Sequence, residues 1–299
     1  MPRHVLTATD LSASSMDPVE RGFLISKTTG ARYTILHAAS LDLLAPLMEV
    51  LGEDIDAVRG KIKEEASAQL RGLVAETSFA DQLPVELRVE SGRAAAVVPD
   101  FVAKGKVGLL VIGAHGHGFL HRILLGSTAS VLLRESKCPV LIVKQPPRHA
   151  YKRILVAVDF SKASMAAIRN ARAIAPEAVF TLLHVFELPF EGLMFRAGLN
   201  MKQIDGYVEE MELRAFEKLR DFAEAMGLPT SGCIVSRGDA TRQIISHQEM
   251  FRSDLIVLGK HGTNVTEELL LGSVTNHLVA ESQCDLLVVV DEQRPEEEA

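Results

Sequence analysis

Asp254-Leu255-Ile256-Val257-Leu258-Gly259-Lys260-His261-Gly262, nine further residues, and then Gly272-Ser273-Val274-Thr275 is the stretch whose reading decides the fold. An apolar run of strand length ends in a glycine loop, and a hydroxyl-bearing helix start follows. Main-chain amides need this arrangement to approach an anion such as phosphate. It also stands earlier in the chain, where Gly108-Leu109-Leu110-Val111-Ile112 leads into Gly113-Ala114-His115-Gly116 and, nine residues on, Gly126-Ser127-Thr128. Two copies in matching surroundings point to duplication.

The repeat reaches well beyond the glycines. An apolar strand ending in aspartate opens each half, at Val5 to Asp10 and at Ile154 to Asp159. A second strand ends on histidine, in Thr34-Ile35-Leu36-His37-Ala38 and in Thr181-Leu182-Leu183-His184-Val185. The last strands begin at Cys138 and Cys284. Partner positions lie 149 residues apart at the aspartates, 147 at the histidines and 146 from Gly92 and Gly238 onward. The spacing therefore predicts two domains, 1–146 and 151–292, joined near Gln145-Pro146-Pro147-Arg148. Prolines disfavour continuing a strand or helix there. Each unit is large enough to bury roughly 70% of its unfolded surface.

Between the strands, helical spacing covers 12–29, 46–76, 93–104 and 127–136, then 162–175, 201–226, 239–252 and 273–282. Strands such as Leu109 to Ile112 and Leu286 to Val290 are continuously apolar, as strands buried on both faces are. Each half thus predicts an α/β fold, a doubly wound parallel sheet of five strands in the order 3-2-1-4-5. Strands one and four are neighbours in that order, so Asp10 and the first glycine loop face one cleft, and Asp159 and the second loop another.

Composition narrows the functional classes. The net charge is −7, with 24% charged residues and no long basic run, which disfavours a nucleic-acid partner. The three cysteines read as buried reduced thiols. No apolar stretch approaches the roughly 20 residues of a membrane span, and a strand starts within a few residues of Met1. The expectation is a cytoplasmic protein without a membrane partner. The acidic tail from Asp291 to Ala299 reads as frayed.

At this point the residues resemble those of the universal stress protein family, each half matching one domain and the chain a tandem member. The strand-one aspartate, the His-Ala or His-Val ending of strand two and the Gly-x2-Gly-x9-Gly-Ser loop carry the resemblance. It implies an adenine-nucleotide-hydrolase-like fold and binding of ATP, or of ADP or AMP, with Mg²⁺ as an accompanying ion. In the second half, the resemblance places Asp159 and Val185 beside the base and ribose, and Gly259 and Gly262 along the ribose and first phosphates. Gly272, Ser273, Val274 and Thr275 hold the outer phosphates. The matching first-half positions are Asp10, Ala38, Gly113, Gly116, Gly126, Ser127 and Thr128. Here Ala38 replaces the commoner valine and Ser-Thr-Ala replaces Ser-Val-Thr. The Ser-Val-Thr match favours the second site. The resemblance also implies pairing of the two domains through their last strands, as an internal pseudo-dimer, with a homodimer and an unidentified protein partner as further possibilities.

Other readings stay open beside these. The glycines also suit a bare strand-to-helix turn, and Asp10 and Asp159 suit helix capping aided by Ser12 and Ser161. His115, His117 and His121 raise zinc, although solvated loop imidazoles fit as well. Lys260 and Arg122 suit a phosphate neighbour or a solvated surface equally. Neither a Walker A loop nor a dinucleotide fingerprint occurs. No duplicated base or arginine finger is evident, so turnover is expected to be absent or at most that of a slow ATPase. A nucleotide-independent scaffold, or a sensor of another small molecule or metal, is the alternative.

Overall fold

A computed structural model of the protein describes residues 1–40, 55–79, 82–114, 125–188, 196, 200–260 and 271–290. The first half runs β1 (His4–Thr9), α1 (Met16–Thr29), β2 (Arg32–Ala39), α2 (Ile55–Ala75), β3 (Val85–Ser91), α3 (Ala94–Gly105), β4 (Leu109–Gly113), α4 (Ser127–Glu135), β5 (Val140–Val143). The second runs β6 (Arg153–Ala157), α5 (Lys162–Ile174), β7 (Val179–Phe186), α6 (Met201–Ala225), β8 (Cys233–Arg237), α7 (Ala240–Phe251), β9 (Leu255–Gly259), α8 (Ser273–Glu281), β10 (Asp285–Val289). The helix expected from Ser12 begins with a short 3-10 turn, Ala13–Ser15, before α1. Residues 46–54 of the helix expected from Pro46 lie outside the described residues.

Alternation along the central strands explains the layering. Leu109 and Val111 of β4 join a core with Val19, Phe23 and Leu70, from α1 and α2. Leu110 and Ile112 join a separate core with Val98 and Leu132, from α3 and α4. The second half repeats this, with Leu255 and Val257 on the side of α5 and α6 and Ile256 and Leu258 on that of α7 and α8. Because every second side chain changes face, a continuously apolar strand feeds two helix layers at once.

Strand order is 3-2-1-4-5 in both halves, read as β3-β2-β1-β4-β5 and β8-β7-β6-β9-β10, with all neighbours inside each half parallel. The two units meet edge to edge. β5 and β10 run antiparallel with Leu141 opposite Leu287 and Ile142 opposite Leu286, so ten strands form one sheet.

Polar groups that cross the seam are unusually well buried. Asp285, 1% exposed, receives Tyr151 Oη on Oδ2 (2.6 Å) and the amides of Lys144 (2.8 Å) and Gln145 (3.1 Å) on Oδ1. Arg21 of α1 stands 3.5 Å from Oδ2 as a charge contact, stacks 4.0 Å over the Tyr151 ring and donates Nη1 to the His149 carbonyl. Burial raises the Asp285 pKa, opposed by Arg21 and these hydrogen bonds. Lys144 Nζ donates to the carbonyls of Val279 (2.6 Å) and Ser282 (2.5 Å), at the C-terminal end of α8. Lys260 Nζ donates to the Arg134 carbonyl at the end of α4. Each half therefore places a lysine on the negative end of a helix from the other half.

Burial lowers the Lys144 pKa from 10.5 to about 8, with Cys284 and Asp285 acting in the opposite sense. Below pH 8 both folded and unfolded chains carry the proton, and burying it costs stability. Between the two pKa values the unfolded chain binds more protons, so the stability contribution of Lys144 rises with pH. Urea unfolding of wild type and Lys144→Met at pH 7.5 and 10 reads this directly. Wild type should gain about 1–3 kcal/mol on the variant across that window. A constant difference contradicts the assignment.

Candidate functional site

Each half sets the carboxyl ends of its first and fourth strands side by side, where doubly wound sheets gather ligands. In the first half Ala8 of β1 lies opposite Ile112 of β4, which brings Asp10 and Gly113 to the same rim. A cavity of about 260 Å³ lies there, at the small end for a ligand pocket. Asp10, Ala38, Gly113, Gly126, Ser127 and Thr128 all line it, together with His37 and the apolar Val98 and Leu132. A second hollow shares Asp10, His37 and Ala38 and extends towards Ile62, Glu65 and Gln69 of α2. The sequence-predicted Gly116 lies outside the described residues, as do His115, His117, His121 and Arg122. Among the described residues no cluster of metal ligands occurs.

The start of α4 supplies the donors. Gly126 N donates to the Ala114 carbonyl (3.0 Å) and Gly126 O accepts from Ser130 N (2.9 Å), so the helix opens with Ser127, Thr128 and Ala129. The amides of this first turn have no intrahelical acceptor, and the dipole there favours negative charge. Gly126 has φ −57°, a value open to any residue, and a Cβ added to it would meet only the Ala114 oxygen, at an ordinary 3.7 Å. Among the described residues, neither backbone conformation nor packing demands glycine here.

The aspartates are held alike in the two halves. Asp10 Oδ1 accepts from Ser12 N (3.0 Å), Ser12 Oγ (2.6 Å) and Ser15 Oγ (2.8 Å). Asp159 Oδ1 accepts from Ser161 N (3.0 Å) and Ser164 Oγ (2.5 Å). Neither aspartate is the helix cap that the sequence suggested: Ser161 caps the second-half helix by accepting from Ser164 N, and each aspartate instead closes a turn onto the amide two residues on. For Asp159, burial pushes the pKa up, and the hydrogen bonds from Ser161 and Ser164 outweigh it, leaving it below 3.8. The next residue in each half, Leu11 or Phe160, is left-handed, with φ of 61° and 64°. Strain of this kind, on the order of 1–3 kcal/mol, clusters where a site fixes the chain.

Sequence reasoning gave the strand-two histidines no role, and the structure supplies one. His37 Nδ1 donates to the Thr9 carbonyl (2.9 Å), and His184 Nδ1 to the Val158 carbonyl (2.7 Å). Each carbonyl immediately precedes the aspartate, so the imidazole pins the strand end from which the carboxylate projects. Burial lowers the His184 pKa, aided by Lys218 and opposed by the Val158 carbonyl and Asp159. The signal was available as an Asp and a His ending adjacent strands twice over.

In the second half Asp159 follows β6, Val185 lies on β7, Gly259 ends β9, and Gly272 to Thr275 open α8. Gly272, with φ −56°, donates its amide to the Lys260 carbonyl (3.0 Å), as Gly126 does to Ala114. The Thr275 side chain is 3% exposed and donates Oγ1 to the Gly259 carbonyl (3.1 Å), tying helix start to strand end. Val274 packs against the core, leaving its amide as its polar group at the cleft. Gly262 lies outside the described residues. Phe160 packs on His184 with ring centroids 4.5 Å apart, and Lys218 Nζ stands 4.1 Å over its ring. Lys260 corrects both of its sequence readings. It is 3% exposed, neither solvated nor turned to a phosphate, because its ammonium reaches the end of α4 across the seam.

Duplicated doubly wound domains, each with a glycine turn leading into a helix start beside its first strand, define the class. The model of the universal stress protein family matches residues 1–144 and 150–290, and the chain belongs to that family. Universal stress protein Rv2005c of Mycobacterium tuberculosis is 28% identical over 253 residues, covering 79% of this chain and 76% of the relative. Universal stress protein MJ0577 of Methanocaldococcus jannaschii is 30% identical over 157 residues, 46% of this chain and 94% of the relative. Among solved structures, a universal stress protein from Archaeoglobus fulgidus superposes with a TM-score of 0.69 at 21% identity, covering 97% of this chain and 98% of its own. At that identity it speaks to the fold.

The depressed Asp159 pKa gives a signed test. Its contribution is complete above the unfolded value of 3.8 and disappears as pH falls through the lower folded value. Asp159→Ala should lower stability by about 1–3 kcal/mol at neutral pH, because the Ser161 amide and the Ser164 hydroxyl lose a charged acceptor. The gap between variant and wild type should narrow in chemical unfolding as pH falls from 3.8 through the lower folded value. A gap that persists in acid assigns the loss to packing instead.

Proposed function

We propose that this chain is a stress-response protein of the cytoplasm that binds ATP, or ADP or AMP, at its glycine loops and changes a partner-facing surface with occupancy. The observation that carries the reading is the placement of Asp10, Ala38, Gly113, Gly126, Ser127 and Thr128 around one cavity, with a helix start aimed into it. Hydrogen bonds to charged oxygens contribute about 1.5–3 kcal/mol each. Three from the first turn of α4 give roughly 5–9 kcal/mol, before the cost of association and with apolar burial of the base to be added. Micromolar to submillimolar affinity follows without a lysine clamp.

Asp10 and Ala38 would meet the base and ribose, Gly113 and Gly116 the ribose and inner phosphates, and Gly126 to Thr128 the outer phosphates. Asp159, Val185, Gly259, Gly262 and Gly272 to Thr275 would do the same in the second cleft. Mg²⁺ would accompany a triphosphate, neutralising charge that the amides leave. The binding units are the domains 1–146 and 151–292. The antiparallel β5–β10 contact supports reading them as an internal pseudo-dimer, two clefts built into one chain.

Gly126 provides the discriminating experiment. Alanine there should leave thermal stability unchanged or slightly raised, because φ suits it and its Cβ would meet the described residues only at an ordinary 3.7 Å. In calorimetric titration with ATP and Mg²⁺, the same variant should bind at least about tenfold more weakly, and Gly126→Val not measurably. Wild type that shows no binding at millimolar nucleotide, or Gly126→Ala that binds as wild type does, ends the proposal.

A further inference from the structure

The two outer edges of the ten-stranded sheet are finished differently. β3 carries charge: Arg88 Nε donates to Glu86 Oε1 (2.6 Å), and Arg32 of β2 pairs with the other oxygen. Charged side chains on an edge strand discourage the addition of another strand. β8, at the opposite edge, reads Cys233-Ile234-Val235-Ser236 before its first charge at Arg237. Among the described residues no strand lies beyond it.

Helix α6 makes that edge a groove. Glu209, Glu212, Leu213 and Phe216 fall at i, i+3, i+4 and i+7, one face of a helix, and together with Cys233, Ile234 and Val235 they line one hollow. Leu213 is 54% and Phe216 37% exposed, whereas α2, the counterpart over β3, has no exposed large apolar side chain among its described residues.

Charge decides the occupant. α6 holds seven acidic and four basic residues. Arg214 is engaged by Glu210, Arg220 by Glu224, and Lys218 stands over Phe160. Glu209 and Glu212 form no ion pair with any described residue. A second copy docked about a twofold axis would set this acidic patch against itself, which like-charge repulsion opposes. A foreign strand with basic side chains has no such cost.

We propose that the groove between α6 and β8 docks an extended segment of a partner protein, which adds to β8 as an eleventh strand and presents apolar and then basic side chains to α6. Main-chain hydrogen bonds to the open edge would supply affinity, and alternate side chains specificity. The step from Glu209 to Phe216 covers about 10 Å of helix, the length of about three strand residues. Apolar positions over Leu213 and Phe216 are therefore followed, two to four residues along the same strand face, by lysine or arginine opposite Glu209 and Glu212. This surface is independent of the nucleotide reading.

The probe is a fluorescent synthetic peptide of about eight residues in which threonine alternates with valine, leucine, lysine and lysine, tested with its reversed-order twin. One of the two should bind the full-length protein saturably and slow amide exchange across residues 233–237. Glu209→Lys with Glu212→Lys should weaken binding at least about tenfold and admit a peptide with glutamate in place of lysine. Leu213→Ser with Phe216→Ser should weaken it comparably, both positions being exposed enough to leave the fold intact. The same charge reversal at Glu64 and Glu76 of the first half should change binding by less than about twofold, excluding mere attraction to an acidic protein. Three results overturn the proposal. They are no saturable binding by either peptide at millimolar concentration, equal loss in the Glu64 and Glu76 control, and a wild-type dimer in sedimentation that Leu213→Glu dissociates. The last would give the groove to a second copy.

Discussion

The buried carboxylate of Asp285 is the constraint on which the rest of the structure depends. It accepts the amides of Lys144 and Gln145 and the Tyr151 hydroxyl, and it faces the Arg21 guanidinium. These groups come from α1, from the end of β5, from the connection between the halves and from the first residue of β10. A carboxylate taken out of water is tolerable only when such partners surround it. Satisfying one side chain therefore fixes the path of the chain between the domains and the register of the seam together. Removing Arg21 or Tyr151 alone would leave buried charge uncompensated, which costs far more than the pair contributes.

The architecture of each half was legible in the sequence for a physical reason. Alternate residues of Leu109 to Ile112 enter two different cores, so the segment has to be apolar throughout and stands out as a fully buried strand. The repeat then removed the ambiguity that a short apolar run carries, since the same helix spacing followed it twice. The meeting of Asp10 and Gly113 at one rim was legible on similar grounds, because strand order alone brings them together, whereas Ala38, Ser127 and Thr128 were named by the resemblance and are found lining the same cavity.

Other features were not legible because they are side-chain geometry across long sequence distances. Lys260 looked like a loop cation beside a phosphate, and only the antiparallel seam reveals the Arg134 carbonyl as its partner, 126 residues away. Thr275 matched a phosphate-binding pattern, yet its hydroxyl serves the Gly259 carbonyl. His37 and His184 were visible as strand ends, but their hydrogen bonds to Thr9 and Val158 depend on β1–β2 and β6–β7 register. The order 3-2-1-4-5 already put β3 and β8 at edges, but the hollow that α6 forms over β8 depends on side-chain packing between them.

The seam also makes the two clefts unequal. Helix α4 turns its N-terminus towards the first cleft, and its C-terminal carbonyls meet Lys260 of the second half. A cation there complements the negative end of the dipole whose positive end faces the cavity. Helix α8 is treated likewise by Lys144, but Lys144 lies beyond β5, outside any glycine loop. Lys260 stands within one, and its first-half counterpart is Ala114, which has no side chain to send across. Lys260, just after β9, is thus anchored to the first domain, while Ala114 just after β4 makes no equivalent side-chain contact. The same aspartate-histidine frame consequently stands in two halves with different mechanical support at the end of the fourth strand.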